Sequence, residues 1–188
     1  MASFPQEHEK DISPQSRGYL TFTVFLAGAV TMSVEFGASR LLGNVFGTSN
    51  IVWAVVIGLV LVYLTLGNWL GGRLADKTPS ARVYYSVLAW AALGAGAVPL
   101  ISRPVLRAAA EAFDVLNLGV LAGAFTAVIL LFSIPVILLG MVTPFALKLM
   151  ITNTEKTGRI SGRLSAISTL GSFLGTFLTV LALIPWAG

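Results

Sequence analysis

Apolar positions run along this chain in long blocks, and the polar positions fall between them. The blocks cover about residues 19–42, 51–74, 83–101, 118–147 and 160–185. Each is close to or above the roughly 20 residues that an α-helix needs to cross about 30 Å of hydrocarbon. The pattern predicts an all-α polytopic membrane protein with about five transmembrane helices, filling residues 18–188. Trp53, Trp69 and Trp186 stand near block ends, as aromatic anchors do at the two membrane interfaces, and Tyr84 and Tyr85 open the third block. Arg103, Arg107, Glu111 and Asp114 recur at three- and four-residue steps, with Val105, Leu106, Ala109 and Phe113 opposite them. That spacing predicts an amphipathic helix over about 103–116, lying along the membrane surface. Residues 1–17 are polar and carry two prolines; they read as a disordered cytoplasmic tail. They do not read as a signal peptide, because the following apolar run is too long and lacks a small-residue cleavage site.

The fourth block leaves two readings. Pro135 and Pro144 interrupt its hydrogen bonding, with Gly140 between them. It is either one long kinked span or two short ones broken near Pro135. Loop charge decides. With one span, Lys10, Arg17, Arg73, Lys77, Arg82, Lys148, Lys156, Arg159 and Arg163 share one side, and Arg40, Arg103 and Arg107 the other, nine basic residues against three. With two spans this bias disappears. The positive-inside rule selects one kinked helix and a cytoplasmic N-terminus. The expected location is the cell inner (plasma) membrane.

Composition adds limits. Charged residues make up 11% of the chain and hydrophobic ones 56%, too few polar side chains to cover a soluble fold. The net charge of +4 is spread over short loops without interleaved aromatics, which gives no reason to expect a nucleic-acid partner. There is no cysteine, and the single histidine, His8, has no second strong metal ligand beside it. No metal, cofactor or catalytic set is expected.

Candidate chemistry then narrows to a few positions. Glu35 is a carboxylate at membrane depth, where a charge is costly and must face protein or water. It serves either as counter-charge or proton carrier for a cationic substrate, or as a lock between helices. Asn68 lies between Gly67 and Gly71, a pair spaced for close helix contact, and bonds either a neighbouring helix or a ligand. Arg40 is near enough to an interface to snorkel. Arg73, Asp76, Lys77 and Arg82 crowd the loop between the second and third blocks as a structural or gating group, with Asp76 placed to meet the next helix's N-terminus. Ser161, Ser165, Ser168, Ser172 and Thr179 follow helical steps in the last block, as a polar path or a close-packing face. Arg159 and Arg163, one turn apart, are placed for anionic lipid or a soluble partner.

Two stretches carry a resemblance. Gly72-Arg73-Leu74-Ala75-Asp76-Lys77 resembles the cytoplasmic loop signature of the major facilitator superfamily. The longer run from Glu35-Phe36-Gly37-Ala38-Ser39-Arg40 through Phe46-Gly47-Thr48-Ser49 to Leu66-Gly67-Asn68-Trp69-Leu70-Gly71 is similar to the membrane half of bacterial membrane-fused spermidine synthase-like proteins. Leu139-Gly140-Met141-Val142-Thr143-Pro144 and Gly158-Arg159-Ile160-Ser161-Gly162-Arg163 agree with it. The resemblance implies a half-major-facilitator-like bundle that anchors, channels or transports a polyamine-type cation. The synthase half has no counterpart in these residues, so no aminopropyl transfer, and no enzyme, is expected. The alternative is a non-catalytic subunit packing against another membrane protein or a copy of itself.

Overall fold

The computed structural model describes residues 14–116, 119–151 and 157–187. The expected tail lies outside the described residues as far as residue 13, and His8 with it; Pro14–Arg17 belong to the first helix instead. All regular structure among the described residues is helical: α1 (Pro14–Phe46), α2 (Asn50–Lys77), α3 (Ala81–Leu116), α4 (Gly119–Met150) and α5 (Thr157–Leu178). A π-helical turn, Thr179–Leu183, and a short α6, Ile184–Ala187, extend the last element. Five helical stretches are long and apolar enough to cross a membrane. The protein is an all-α polytopic membrane protein.

Local chemistry sets the turns. Gly47 takes φ +83°, a left-handed conformation that suits glycine, and ends α1. Ser49 then caps α2 by accepting the Val52 N–H at 3.3 Å. Thr78 closes α2 by donating its N–H to the Leu74 carbonyl at 2.9 Å, and Pro79 follows. α4 runs unbroken through Pro135 and Pro144, as the single-span reading requires.

The surface helix expected over 103–116 is not separate. It is the last part of α3, which passes through Pro99 and Pro104 without a break. The reason is burial of its apolar stripe: Leu106 and Ala109 enter a core cluster that includes Ala127, Val128 and Leu131 of α4, the helix on which α3 chiefly packs, so the stripe faces protein rather than lipid. Between the two prolines, Ser102, 1% exposed, donates its hydroxyl to the Pro99 carbonyl at 3.1 Å.

α4 is the central strut. α2 and α3 pack along it, and α1 packs chiefly on α5. One core cluster spans α1 to α4 near Leu42, Val56 and Phe132; the other gathers Leu20, Val24, Tyr84, Phe145 and Leu164. In the second, Tyr84 is fully buried, and its hydroxyl meets Thr23 Oγ1 at 2.6 Å. Thr23 already donates to the Leu20 carbonyl, so Tyr84 is the donor.

Lipid tails give helices no hydrophobic reason to associate, so close backbone packing must hold them together. Glycines provide it twice, in matching ways. A Cβ on Gly67 would run into the Ile137 carbonyl, and one on Gly71 into Met141. Across the other pair, a Cβ on Gly171 would run into the Phe25 carbonyl, and one on Gly175 into Ala29. Gly140 meets Leu64 as Gly28 meets Ser168. The sequence repeats along with the packing. Val24–Thr31 (VFLAGAVT) and Val136–Thr143 (VILLGMVT) share five of eight residues, and Thr65–Leu74 (TLGNWLGGRL) and Thr169–Leu178 (TLGSFLGTFL) share six of ten. Thus α1 corresponds to α4, and α2 to α5. At both crossings residue numbers rise together, so α2 runs parallel to α4 and α1 to α5. The short α1–α2 hairpin reverses direction, so the two repeats are inverted with respect to each other.

Candidate functional site

The repeats border an open cavity of about 310 Å³, with a mixed polar and apolar lining, where α1, α2, α4 and α5 meet. It lies at the junction of the two core clusters. Its lining comes in repeat-related pairs: Gly28 with Gly140, Thr31 with Thr143, and Asn68 with Ser172. Ser165, Ser168 and Thr169 complete the polar wall. Of the hydroxyl stripe expected on the last span, Ser165, Ser168 and Ser172 therefore line the cavity, and Ser161 and Thr179 do not.

The hydroxyls have a defined polarity. Thr31 donates to the Ala27 carbonyl at 2.7 Å, Thr169 to the Ser165 carbonyl at 2.9 Å, and Ser172 across the interface to the Gly28 carbonyl at 3.2 Å. With their protons committed, these oxygens offer lone pairs only. The Asn68 side chain adds an amide, whose carbonyl accepts and whose NH2 donates. Such a wall suits a ligand that brings N–H or O–H donors.

Glu35 does not line this cavity. It is half-buried on α1, one turn beyond Thr31 and on the same helix face, a spacing of about 5–6 Å between Cβ atoms. No hydrogen bond or ion pair joins it to another described residue. Arg40, five residues on, points to a different cavity at the end of the bundle where α1 and α3 finish.

The charged loop is placed apart from the cavity. Arg73 stacks its guanidinium over the Trp69 ring at 3.9 Å, a cation–π contact at the surface. Asp76 bonds Lys148 in the last turn of α4 at 2.7 Å, instead of serving the first turn of α3. Lys77 and Arg82 are exposed. The Asp76–Lys148 pair ties the α2 and α4 ends together, but its side chains are 67% and 47% exposed, so solvent screens it. Asp76→Asn is expected to lower stability by about 0–1 kcal/mol. A detergent melting curve checks this; a loss well above that range contradicts a screened surface pair. Arg163 borders a cleft of about 620 Å³ with Arg17, Phe22, Phe25 and Leu164, and Arg159 is exposed one turn before it.

The structure thus joins Asn68 to the hydroxyl stripe, keeps Glu35 just beyond it, and leaves the loop charges outside. Thr31 and Thr143 are cavity-lining positions that sequence reasoning missed. The internal repeat was the signal for them, since both end the same VxLxGxVT pattern. No family model matches this chain, nor does any curated protein or solved structure.

Proposed function

We propose that this chain is the membrane module of a polyamine-handling system, seated in the cell inner membrane with its N-terminus in the cytoplasm. In this reading it anchors, channels or moves an alkylammonium cation. The observation that carries it is the acceptor-rich cavity lined by paired positions of two inverted repeats. Transporters built on inverted repeats hold substrate near the bilayer midplane, where the repeats meet. Committed hydroxyls and the Asn68 carbonyl receive ammonium donors, and Glu35, one turn away, supplies the counter-charge. The resemblance to the membrane half of spermidine synthase-like proteins supports the same ligand class. The loop-charge bias supports the orientation.

Proteoliposomes containing the full chain test it. Labelled spermidine is expected to enter with the wild-type chain, and uptake by Glu35→Gln is expected to fall about tenfold or more, the scale of one hydrogen bond to a charged group. Melting of the two proteins should match. Equal uptake by both removes Glu35 from the function.

One observation favours the second reading, a subunit that packs against another membrane protein or a second copy. Tyr19 is 65% exposed, whereas its repeat counterpart Leu131 is 2% exposed in the core cluster that includes α3 residues. Among the described residues, no helix covers this α1 face as α3 covers α4. A well-folded wild-type chain that carries no spermidine supports this reading over the first.

A further inference from the structure

We propose that the cavity at the end of the bundle where α1 and α3 finish binds one negatively charged phospholipid. This is independent of the polyamine reading and uses none of its residues. The cavity measures about 560 Å³ and lies among α1, α3 and the π-helical turn. Three guanidinium groups border it: Arg40 from α1, and Arg103 and Arg107 from α3. No carboxylate lines it, and none of the three arginines forms an ion pair with a described residue. Glu111, one turn beyond Arg107 on α3, lies outside the lining and forms no ion pair with it, so three like charges meet at the cavity with no carboxylate among them, which favours an anion. Arginine presents a planar fork of donors that matches phosphate oxygens two at a time.

The walls exclude a purely soluble ligand as the best fit. Beneath the arginines the lining is mainly apolar, including Leu183 and Ile184. A phosphate head group reaches the guanidiniums while an acyl chain follows these walls into the bilayer. The π-helical turn supplies part of the wall through Thr179 and Leu183. Such turns insert an extra residue into an α-helix and often mark functional positions. The amphipathic end of α3 gives the arrangement its origin: because that segment continues the helix, Arg103 and Arg107 border the same cavity as Arg40.

Native mass spectrometry of the full chain in mild detergent tests the proposal, with phosphatidylglycerol, phosphatidylcholine and inorganic phosphate as separate probes. The expected result is one retained phosphatidylglycerol per chain, little phosphatidylcholine, and no retention of inorganic phosphate. Arg40→Gln, Arg103→Gln and Arg107→Gln should each weaken phosphatidylglycerol retention about tenfold. Leu183→Trp, which fills the apolar wall, should weaken it as well. The three arginines are exposed, so the single variants are expected to fold, and circular dichroism verifies this for each. Arg159→Gln with Arg163→Gln, at the opposite end, should leave retention unchanged. Equal retention of phosphatidylcholine overturns the charge requirement. Retention of inorganic phosphate alone makes the ligand a soluble anion and overturns the lipid. An equal loss from the Arg159 and Arg163 changes reduces the effect to overall basic charge and also overturns the site.

Discussion

Alanine at Gly67, Gly71, Gly171 or Gly175 is expected to destabilise the bundle by about 1–3 kcal/mol each, the usual cost of overpacking a tightly packed interior. The added methyl would meet backbone: the Ile137 carbonyl at Gly67, Met141 at Gly71, the Phe25 carbonyl at Gly171 and Ala29 at Gly175. Backbone cannot rotate away as a side-chain tip does, so the helices must separate. Their close approach is also the main source of attraction between them, because lipid already solvates apolar side chains as well as a neighbouring helix does. Gly58 and Gly96 provide the contrast. A Cβ at either would meet nothing within 4 Å. Alanine there removes only glycine's helix penalty, and stability should hold or rise by up to about 1 kcal/mol. The inverted repeat adds a sharper requirement. Gly67 and Gly171 hold equivalent positions, so alanine should destabilise both to a similar degree. Melting of the six variants in detergent decides: if Gly171→Ala is as stable as Gly58→Ala, the α1–α5 crossing is not held as described.

If the proposed polyamine path runs through the cavity, Asn68→Trp should leave the fold in place and block that path. Asn68 is exposed toward the cavity, and its backbone position tolerates a larger group that extends into open space. Surface-type substitutions of this kind usually stay within about 0.5 kcal/mol. An indole projects into the 310 Å³ cavity and removes the amide's carbonyl acceptor. Spermidine uptake by proteoliposomes is expected to fall by on the order of tenfold or more, with melting unchanged, a loss of at least about 1.4 kcal/mol in binding terms. Asn68→Gln, which keeps the amide, should retain much of the activity. Uptake that survives the tryptophan would place the path elsewhere in the molecule.

The spans were readable because membrane insertion depends on local composition. A 20-residue apolar run declares itself without knowledge of its neighbours. The continuity of α3 was not readable in the same way. Pro99 and Pro104 signal a break, and the arginine spacing after them fits a surface helix equally well; only the burial of Leu106 and Ala109 in the core that α4 organises distinguishes the two. The cavity was hidden for a related reason. Its polar groups come from four helices, and no single segment shows that Thr31 and Thr143 meet. The repeat that relates them was present in the letters, but an odd number of spans conceals a two-part architecture. Glu35 stood out for its cost in the membrane, yet its distance from the cavity wall depended on which turn of α1 faces α4.

The pairing of α1 with α5 has a consequence for how the chain is made. The Ser172 hydroxyl that bonds the Gly28 carbonyl lies 144 residues downstream of it. At a synthesis rate of about 5–20 residues per second, α1 waits roughly 7–30 s in the bilayer before its principal partner exists. During that interval its Gly28 and Ala29 face has only lipid, or an insertion factor, against it. α2 waits for a shorter time, because α4 is made before α5. Assembly in the order of synthesis therefore lets α1 meet α2, α3 and α4 first, and closes its Gly28 and Ala29 face only when the last helix arrives.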